Sequence, residues 1–217
     1  MNNIFYVSNQ TAKKKTRSGC TDEVQTTSGP VIGKTVLLST GKKVDKYLGI
    51  KYAEAKRFEK PESPTPWIEP FYADSFGKNC IQFPVAKNVT VVMDEDCLFI
   101  NVFVPNQAAA KGELFSVMHW IHGGAYISNS GDQLGADILA SEGGVIVVTF
   151  NYRLGVLGYL ASGSSDLPGN YGMFDQIKAL QWTKDNIQKY VFYHLYCIIY
   201  ITKMINSYCF NKHFFKR

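Results

Sequence analysis

The chain has 217 residues, of which 46% are hydrophobic and 19% are charged, and this balance excludes a protein that is disordered throughout. It contains no triplet glycine period, no repeat of about 20–50 residues and no uninterrupted apolar run of about 18 residues, which excludes collagen-like, solenoid and ordinary membrane-spanning chains. The net charge is +5, and residues 190–217 contribute four of these charges through Lys203, Lys212, Lys216 and Arg217. Because the remainder is nearly neutral, the sequence does not indicate a nucleic-acid-binding surface.

The first 26 residues are predicted to form an N-terminal arm. Their apolar run, residues 4–7, is shorter than the roughly 7–15 residue core of a signal peptide. Either the protein is cytosolic or its true start is missing. The arm contains a glycosylation acceptor at Asn9, in the sequence Asn-Gln-Thr.

The middle of the chain is predicted to be rich in strands. Runs of β-branched and aromatic residues predict strands over 31–38, 46–50, 97–104, 115–121 and 145–150. The last of these is apolar almost throughout, which is typical of a strand covered on both faces of a parallel sheet. Residues 60–70 contain four prolines and are predicted to be an extended surface connection.

Helical spacing predicts two helices, over residues 135–142 and from about 171 to 188. In the second helix Met173, Ile177, Leu180 and Ile187 fall on one stripe, the pattern of an amphipathic helix that packs on a core. Strands that alternate with helices favour a doubly wound α/β sheet.

The composition changes sharply at residue 190. Residues 190–217 hold nine of the 30 aromatic residues and contain no Gly, Pro, Ala, Asp or Glu. The apolar stretch 191–201 is about half the length that a membrane-spanning helix needs. This tail is interpreted as an aberrant end, such as a translated intron; a buried C-terminal element and a membrane-surface anchor are the alternatives.

The chemically informative residues are concentrated in the segment 120–126, WIHGGAY, which follows a predicted strand. Consecutive glycines let the chain turn with its backbone N–H groups toward a cavity, because no Cβ blocks the approach. Such donors could hold the oxyanion that develops during acyl transfer, although a Gly-Gly turn can also be only a turn. The segment differs from the HGGG-type motif of lipases and esterases by Ala125.

From about residue 27 to 189 the sequence resembles the type-B carboxylesterases, a family that includes cholinesterases, bile-salt-activated lipase and the neuroligins. The resemblance is carried by one collinear series of motifs: SGPVIGKTV, YLGIKYAEAKRFEKP, EDCLFINVFVP, HWIHGGAY, VIVVTFNYRLGVLGYL and LPGNYGMFDQIKALQWTKDNI. It implies the N-terminal part of an α/β-hydrolase fold, a mixed and mostly parallel sheet with helices, incomplete in this chain. The implied organisation is an arm (1–26), a partial carboxylesterase domain (27–189) and the aberrant tail (190–217).

The resemblance assigns an oxyanion hole to the glycine segment. The backbone N–H groups of Gly124 and Ala125 would be the donors, and Gly123 would shape the turn. His122 is interpreted as a packed neighbour of the turn with no role in proton transfer. The full-length parent would act on a small ester or lipid substrate, with no cofactor, no metal and no nucleic-acid partner.

The resemblance also implies a disulfide between Cys80 and Cys97, although two free thiols are the alternative. The loop between them contains a second glycosylation acceptor, Asn88, and no Trp, so the choline-binding aromatic of cholinesterases has no counterpart there. A disulfide and glycosylation sites suit a secretory environment, which would mean that the N-terminus is incomplete. Two ion pairs are implied as ties between loops and sheet: Arg57 with Glu95, and Arg153 with Asp175.

The catalytic triad of the family is missing from the 217 residues. No serine lies in a G-x-S-x-G elbow, and Ser165, the nearest match, has Leu167 where the second Gly is required. His194 and His213 lie in the tail and are not assigned as the base. The chain alone is therefore predicted to be inactive, and the missing nucleophile strand is expected to leave a sheet edge unpaired at strands such as 145–150.

Three identities remain open at this point. The parent is interpreted as a carboxylic ester hydrolase with a serine esterase mechanism. The alternative is a catalytically silent, neuroligin-like adhesion protein, which would have a protein partner. In either case the chain itself could be a non-functional translation product.

Overall fold

Strands and helices follow one another along the chain from Cys20 to Tyr190. A computed structural model describes residues 19–82, 92–106 and 115–190. The strands in these ranges are β1 Cys20–Gln25, β2 Pro30–Leu37, β3 Lys43–Lys51, β4 Phe71–Tyr72, β5 Asn79–Cys80, β6 Met93–Asp94, β7 Phe99–Pro105, β8 Ser116–Trp120 and β9 Val145–Phe150. The helices are α1 Ala136–Gly143, α2 Gly155–Tyr159 and α3 Tyr171–Asn186, and a 3₁₀ turn, Ile187–Tyr190, follows α3.

The main sheet has the strand order β1-β2-β3-β7-β9-β8, with β4 beside β2, while β5 and β6 pair separately. The α/β class with a mixed sheet and helices is confirmed. Within the described ranges, however, the pairings along this order are antiparallel except for β8 with β9. Short turns join β1 to β2 and β2 to β3, and such turns allow only antiparallel neighbours. The sheet is parallel at β8 and β9, where α1 forms the crossover.

Strand β9 is buried from both sides of the sheet, as its apolar sequence predicted. Val147 packs on one side in a cluster with Ala136 and Ala140 of α1. Ile146 and Val148 belong to the larger cluster on the opposite side, which includes residues of α3. Because side chains alternate along a strand, an apolar residue at nearly every position serves both layers.

Helix α3 buries a different face from the one that its apolar spacing predicted. Met173 and Ile177 are 38% and 59% exposed. Leu180 is half-buried and Ile187 is 2% exposed, so the predicted stripe is buried only toward its end. The buried face also carries polar residues: Asp175, Gln176, Thr183 and Asn186 are at most 7% exposed. Asn186 is hydrogen-bonded to Thr27, 159 positions earlier in the sequence. Its Oδ1 accepts the Thr27 N–H at 2.7 Å, and its Nδ2 donates to Thr27 Oγ1 at 3.1 Å. Specific polar partners therefore act together with the apolar residues Ala179 and Trp182, which are buried on the same side of the helix.

The folded body extends beyond the residues 27–189 assigned to it. Strand β1 lies within the segment assigned to the arm, where Thr21 Oγ1 accepts the Gly33 N–H at 2.9 Å. Tyr190, assigned to the tail, is 8% exposed, and its ring lies 4.8 Å from that of Tyr47. The arm residues 1–18 and the tail residues 191–217, with their assigned roles, lie outside the described residues.

The free edge of the sheet falls at β8. Strand β9, named as a candidate edge from the sequence, is paired on both sides, by β7 and by β8. Strand β8 ends the strand order among the described residues. Its side chains Val117 and His119 are fully buried.

Candidate oxyanion-binding site

The glycine segment forms a tight turn directly after β8. Gly124, Ala125 and Tyr126 have φ values of 112°, 52° and 64°, so three successive residues occupy the region that L-residues rarely adopt. The Gly124 carbonyl accepts the N–H groups of Ile127 at 3.0 Å and Ser128 at 3.2 Å. A Cβ at Gly124 would lie 2.1 Å from the Ser128 carbonyl oxygen, so this position requires glycine.

The turn leaves two adjacent backbone donors without an internal partner. Across residues 19–82, 92–106 and 115–190, no acceptor binds the N–H of Gly124 or of Ala125. Ala125 is exposed and Gly124 is half-buried, so an external group can reach this part of the turn. Successive N–H groups in a turn form a partial positive charge that binds anions.

His122 supports the turn as a neutral, buried ring. Its ring stacks on Tyr152 at 4.2 Å, and the Tyr152 hydroxyl donates to the His122 carbonyl at 2.8 Å. His122 Nδ1 lies 2.9 Å from the Gly123 carbonyl, which can only accept, so Nδ1 carries the proton. Burial lowers the pKa of His122 to about 4. A neutral ring of this kind fits a packing role and not a role as general base.

The motif NYRLG, residues 151–155, anchors the turn from the end of β9. The Asn151 side chain accepts the Gly131 N–H at 2.8 Å and donates to the Lys78 carbonyl at 3.0 Å. The Gly155 N–H donates to the Tyr126 carbonyl at 2.6 Å. Since β8 and β9 are parallel, the segments that follow them leave the sheet at the same edge. This juxtaposition explains why the two motifs contact each other.

The disulfide expected from the resemblance is present. Cys80 and Cys97 are joined with a Cα–Cα distance of 4.9 Å, within the usual range of about 4.4–6.8 Å. Both cysteines are buried. The expected glycosylation acceptors Asn9 and Asn88 lie outside the described residues.

The two expected ion pairs are formed in different surroundings. Asp175 is fully buried and accepts three hydrogen bonds from Arg153, from Nε at 2.8 Å, from a terminal guanidinium nitrogen at 2.7 Å and from the backbone N–H at 3.0 Å. Burial raises the pKa of Asp175, and Arg153 opposes this shift. Arg57 and Glu95 pair at the surface, where the hydrogen bond from Arg57 lowers the pKa of Glu95.

Residues of both ion pairs and of the disulfide line one small pocket. Arg57, Glu95 and Arg153 line it together with both cysteines of the disulfide. The Arg153 guanidinium also donates to the Lys56 carbonyl at 3.2 Å, which ties the loop before Arg57 to the buried pair. The ion pairs and the disulfide therefore brace the loops beside the sheet.

A nucleophile paired with an accessible base is not found in the described ranges. The nearest arrangement is His119 Nδ1, 3.2 Å from Thr183 Oγ1. Both side chains are fully buried, and the Thr183 hydroxyl donates to the Ala179 carbonyl at 2.9 Å. Burial lowers the pKa of His119 to about 3, so this pair belongs to the interior of the protein.

Sequence reasoning missed the residues that hold the turn in place. Tyr152, Asn151 and Gln82 were given no role, although the first two belong to a motif that the resemblance includes. Hydrogen bonds of these residues link distant segments; those from Gly131 to Asn151 and from Asn151 to Lys78 reach across 20 and 73 residues of sequence. The sequence could have indicated this contact only if β8 and β9 had been recognised as parallel neighbours, because NYRLG follows β9 and the turn follows β8.

Among the residues that the structure describes, no helix is both long and apolar enough to cross a membrane.

Comparisons with known proteins agree with the geometry. A model of the Carboxylesterase family matches residues 21–190. Bile salt-activated lipase of Bos taurus is 41% identical over 179 residues, which cover 77% of this chain and 30% of the lipase. Esterase FE4 of Myzus persicae is 36% identical and covers the chain to the same extent, with 31% of its own length matched. A solved structure of PNB esterase is 36% identical with a TM-score of 0.67, over 77% of this chain and 35% of that one.

The match extends over most of this chain but over a limited part of its relatives. The chain spans about 30% of the length of bovine bile salt-activated lipase and of esterase FE4. The structural likeness covers the sheet and helices described above and places them in the α/β-hydrolase fold. The family model covers far more than half of the 217 residues. The chain therefore belongs to the carboxylesterase family.

Proposed function

We propose that this chain carries the oxyanion-binding part of a carboxylic ester hydrolase that acts on small ester or lipid substrates. The observation that supports this proposal is the pair of backbone N–H groups at Gly124 and Ala125, which have no acceptor among the described residues, in a strained turn after β8. Donors fixed in advance at the position of a developing oxyanion stabilise the transition state of acyl transfer. Strain maintained by surrounding contacts is typical of functional sites.

The position of the turn in the sheet supports the same function. Segments that follow parallel strands meet at one edge, and ligands of open α/β sheets bind at the carboxyl ends of the strands. The similar proteins are named lipases and esterases, which favours the hydrolase over the adhesion alternative.

Residues 1–217 by themselves are proposed to lack activity. The sequence contains no G-x-S-x-G elbow. A triad acts as a unit, so donors without a nucleophile have no reacting oxyanion to stabilise. The serine, acid and histidine would have to come from additional sequence.

The oxyanion role is tested in a chimera in which residues 21–190 replace the matching region of bovine bile salt-activated lipase. Replacing Ala125 by its α-hydroxy acid removes this N–H and retains the side chain. We expect kcat for p-nitrophenyl butyrate to fall by about 10²–10³. The same replacement at Ala161, an exposed loop alanine, is the control. An active chimera whose kcat does not change with the Ala125 replacement would contradict the proposal.

The disulfide leads us to propose an oxidising, secretory compartment for this chain. Structural disulfides form and persist in such compartments and are rare in the cytosol. Mass spectrometry of the protein isolated from its native source should find Cys80 and Cys97 linked. Free thiols at both positions would contradict the secretory assignment.

A further inference from the structure

The side chain of Gln82 forms a two-way contact with the backbone where the glycine turn ends. The Asn129 N–H donates to Gln82 Oε1 at 2.6 Å, and Gln82 Nε2 donates to the Asn129 carbonyl at 3.0 Å. One primary amide thus satisfies both backbone groups of a single residue. The partners are 47 residues apart in sequence, so this contact links two separate segments.

Asn129 needs such a partner because its backbone is strained. Its φ is 93°, which a residue with a Cβ adopts only at a cost of about 1 kcal/mol or more. Two residues later, the Gly131 N–H donates to the Asn151 side chain at 2.8 Å, which is a second hydrogen bond to a distant segment. The end of the turn is therefore held from two sides, by Gln82 and by Asn151.

Gln82 itself is placed by the disulfide. It follows Cys80 by two residues, and its Nε2 also donates to the Cys80 carbonyl at 3.1 Å. Cys80 is 2% exposed and covalently joined to Cys97. The disulfide fixes the backbone from which Gln82 reaches the turn.

We propose that Gln82 is a positioning residue, which transmits the fixed position of the Cys80–Cys97 disulfide to the turn that carries the Gly124 and Ala125 donors. Gln82 acts through Asn129 and does not contact the donors themselves. The role of Gln82 in acyl transfer rests on the proposed function. The effect of Gln82 on the conformation of the turn is independent of that function.

Gln82→Glu in the full chain tests this proposal through a pH-dependent rescue. At pH 7 the introduced carboxylate cannot donate to the carbonyls of Cys80 and Asn129, and it repels both. At pH 4 the protonated carboxyl has one donor and one acceptor, which are enough to restore both bonds to Asn129, although the second donor of the amide, which binds the Cys80 carbonyl, is not replaced. Hydrogen exchange of the peptide spanning residues 124–131 should be about tenfold faster than in the unmodified chain at pH 7. At pH 4 the ratio should return toward one while the peptide that contains β9 stays protected in both proteins, which shows that both remain folded.

The matched control is Gln25→Glu, the same substitution at an exposed position of β1. It should leave exchange in the 124–131 peptide unchanged at both pH values. Comparison with the unmodified chain at each pH removes the contribution of His122, whose pKa is about 4. Unchanged exchange in Gln82→Glu would overturn the proposal, and so would an increase that persists at low pH, because that indicates lost packing alone.

The unmodified chain gives an independent measurement if the Gln82→Glu protein does not fold. By NMR the Asn129 amide should exchange at least about tenfold more slowly than the unpartnered Ala125 amide, after correction for intrinsic rates. Equal rates would overturn the proposal. In the lipase chimera, Gln82→Glu should lower kcat at pH 7 with little change in KM, while Gln25→Glu should not.

The two proposals can fail separately. An active chimera whose kcat does not change with the Ala125 replacement, together with a protected Asn129 amide, overturns the proposed function and leaves the positioning of the turn intact. An active chimera with an unprotected Asn129 amide overturns only the role of Gln82.

Discussion

At the scale of single residues, the candidate site depends on backbone conformations that most side chains disfavour. Ala125 and Tyr126 keep positive φ values without being glycines. Tyr126 is held by the Gly155 N–H and by its ring contact with Tyr159 at 4.7 Å. The strain at Tyr126 is thus balanced by contacts from the segment after β9.

Gly124→Ala tests how strictly the turn is constrained. The new Cβ would meet the Ser128 carbonyl at a φ of 112°, so we expect a loss of about 1–3 kcal/mol in unfolding free energy, or local opening of the turn. Gly135→Ala is the control, because no atom lies within 4 Å of its Cβ and its φ is −69°. Urea unfolding of both variants measures the difference. Equal stability of the two would show that the turn can relax.

Two buried histidines make stability depend on pH. Burial lowers the pKa of His119 to about 3 and that of His122 to about 4, from an ordinary value of 6.5. The unfolded chain therefore binds more protons below pH 6.5. Unfolding free energy should be fully retained above pH 6.5 and should fall toward pH 4, by at most about 1.4 kcal/mol per pH unit for each histidine.

His119→Asn separates the contribution of one ring. An amide nitrogen can replace Nδ1 as the partner of Thr183 and does not titrate. We expect the pH dependence between 6.5 and 4 to decrease by the equivalent of about one proton. Urea unfolding at several pH values gives this slope, and an unchanged slope would show that His119 is protonated to the same extent in both states.

Of the residues at the candidate site, the sequence predicted the glycine turn but not the side chains that hold it. The Gly-Gly pair indicated a turn, because two consecutive residues without Cβ are a local signal. The roles of Gln82 and Tyr152 left no such signal, since a buried polar contact depends on where a distant segment lies. Gln82 lies 47 residues from Asn129, and Tyr152 lies 30 residues from His122.

At the scale of elements, helix α3 shows where periodicity fails. An apolar stripe predicts the buried face only when burial is mainly hydrophobic. In α3 the fully buried Asp175 is fixed by Arg153, and Asn186 by Thr27. Buried polar groups need partners, so these pairs, together with the buried Ala179 and Trp182, favour a rotation of the helix that leaves Ile177 exposed. The strands were predicted more accurately, because their runs of β-branched residues coincide with burial.

The disulfide is the element whose removal should have the clearest effect on stability. Cys80 and Cys97 are 17 positions apart, and closing a loop of that size stabilises a fold by about 3 kcal/mol in the chain-entropy model. Cys97→Ser should therefore lower the unfolding free energy by about this amount. Cys20→Ser is the control, since Cys20 is a free, half-buried thiol. A Cys97→Ser protein as stable as the control would mean that the loop is restrained by other contacts.

At the scale of the whole molecule, the fold class followed from the alternation of strands and helices, while the direction of the strands did not. The resemblance implied a mostly parallel sheet, and the apolar strand 145–150 agreed with it, yet β1, β2, β3 and β7 pair antiparallel. Burial on both faces produces the same apolar pattern in either direction, so composition cannot distinguish the two arrangements. The position of β9 between β7 and β8 likewise follows from the crossover through α1, which joins β8 to β9, and the sequence of one strand does not indicate it.

A polypeptide of residues 1–217 should not hydrolyse p-nitrophenyl butyrate above background. Its sequence offers no serine elbow, and both described histidines, His119 and His122, are buried with lowered pKa values. The assay is run with and without a serine-directed organophosphate. Turnover that the organophosphate abolishes would contradict the prediction and reveal an unrecognised nucleophile.

The bond between Thr27 and Asn186 also has a consequence for how the protein is made. The two residues are 159 positions apart, so a ribosome that adds about 5–20 residues per second synthesises Asn186 roughly 8–30 s after Thr27. The hairpins of β1, β2 and β3 can form early, whereas the layer supplied by α3 is made later. During that interval one apolar side of the nascent sheet is open to chaperones and to other chains, and newly made protein is then most prone to aggregate.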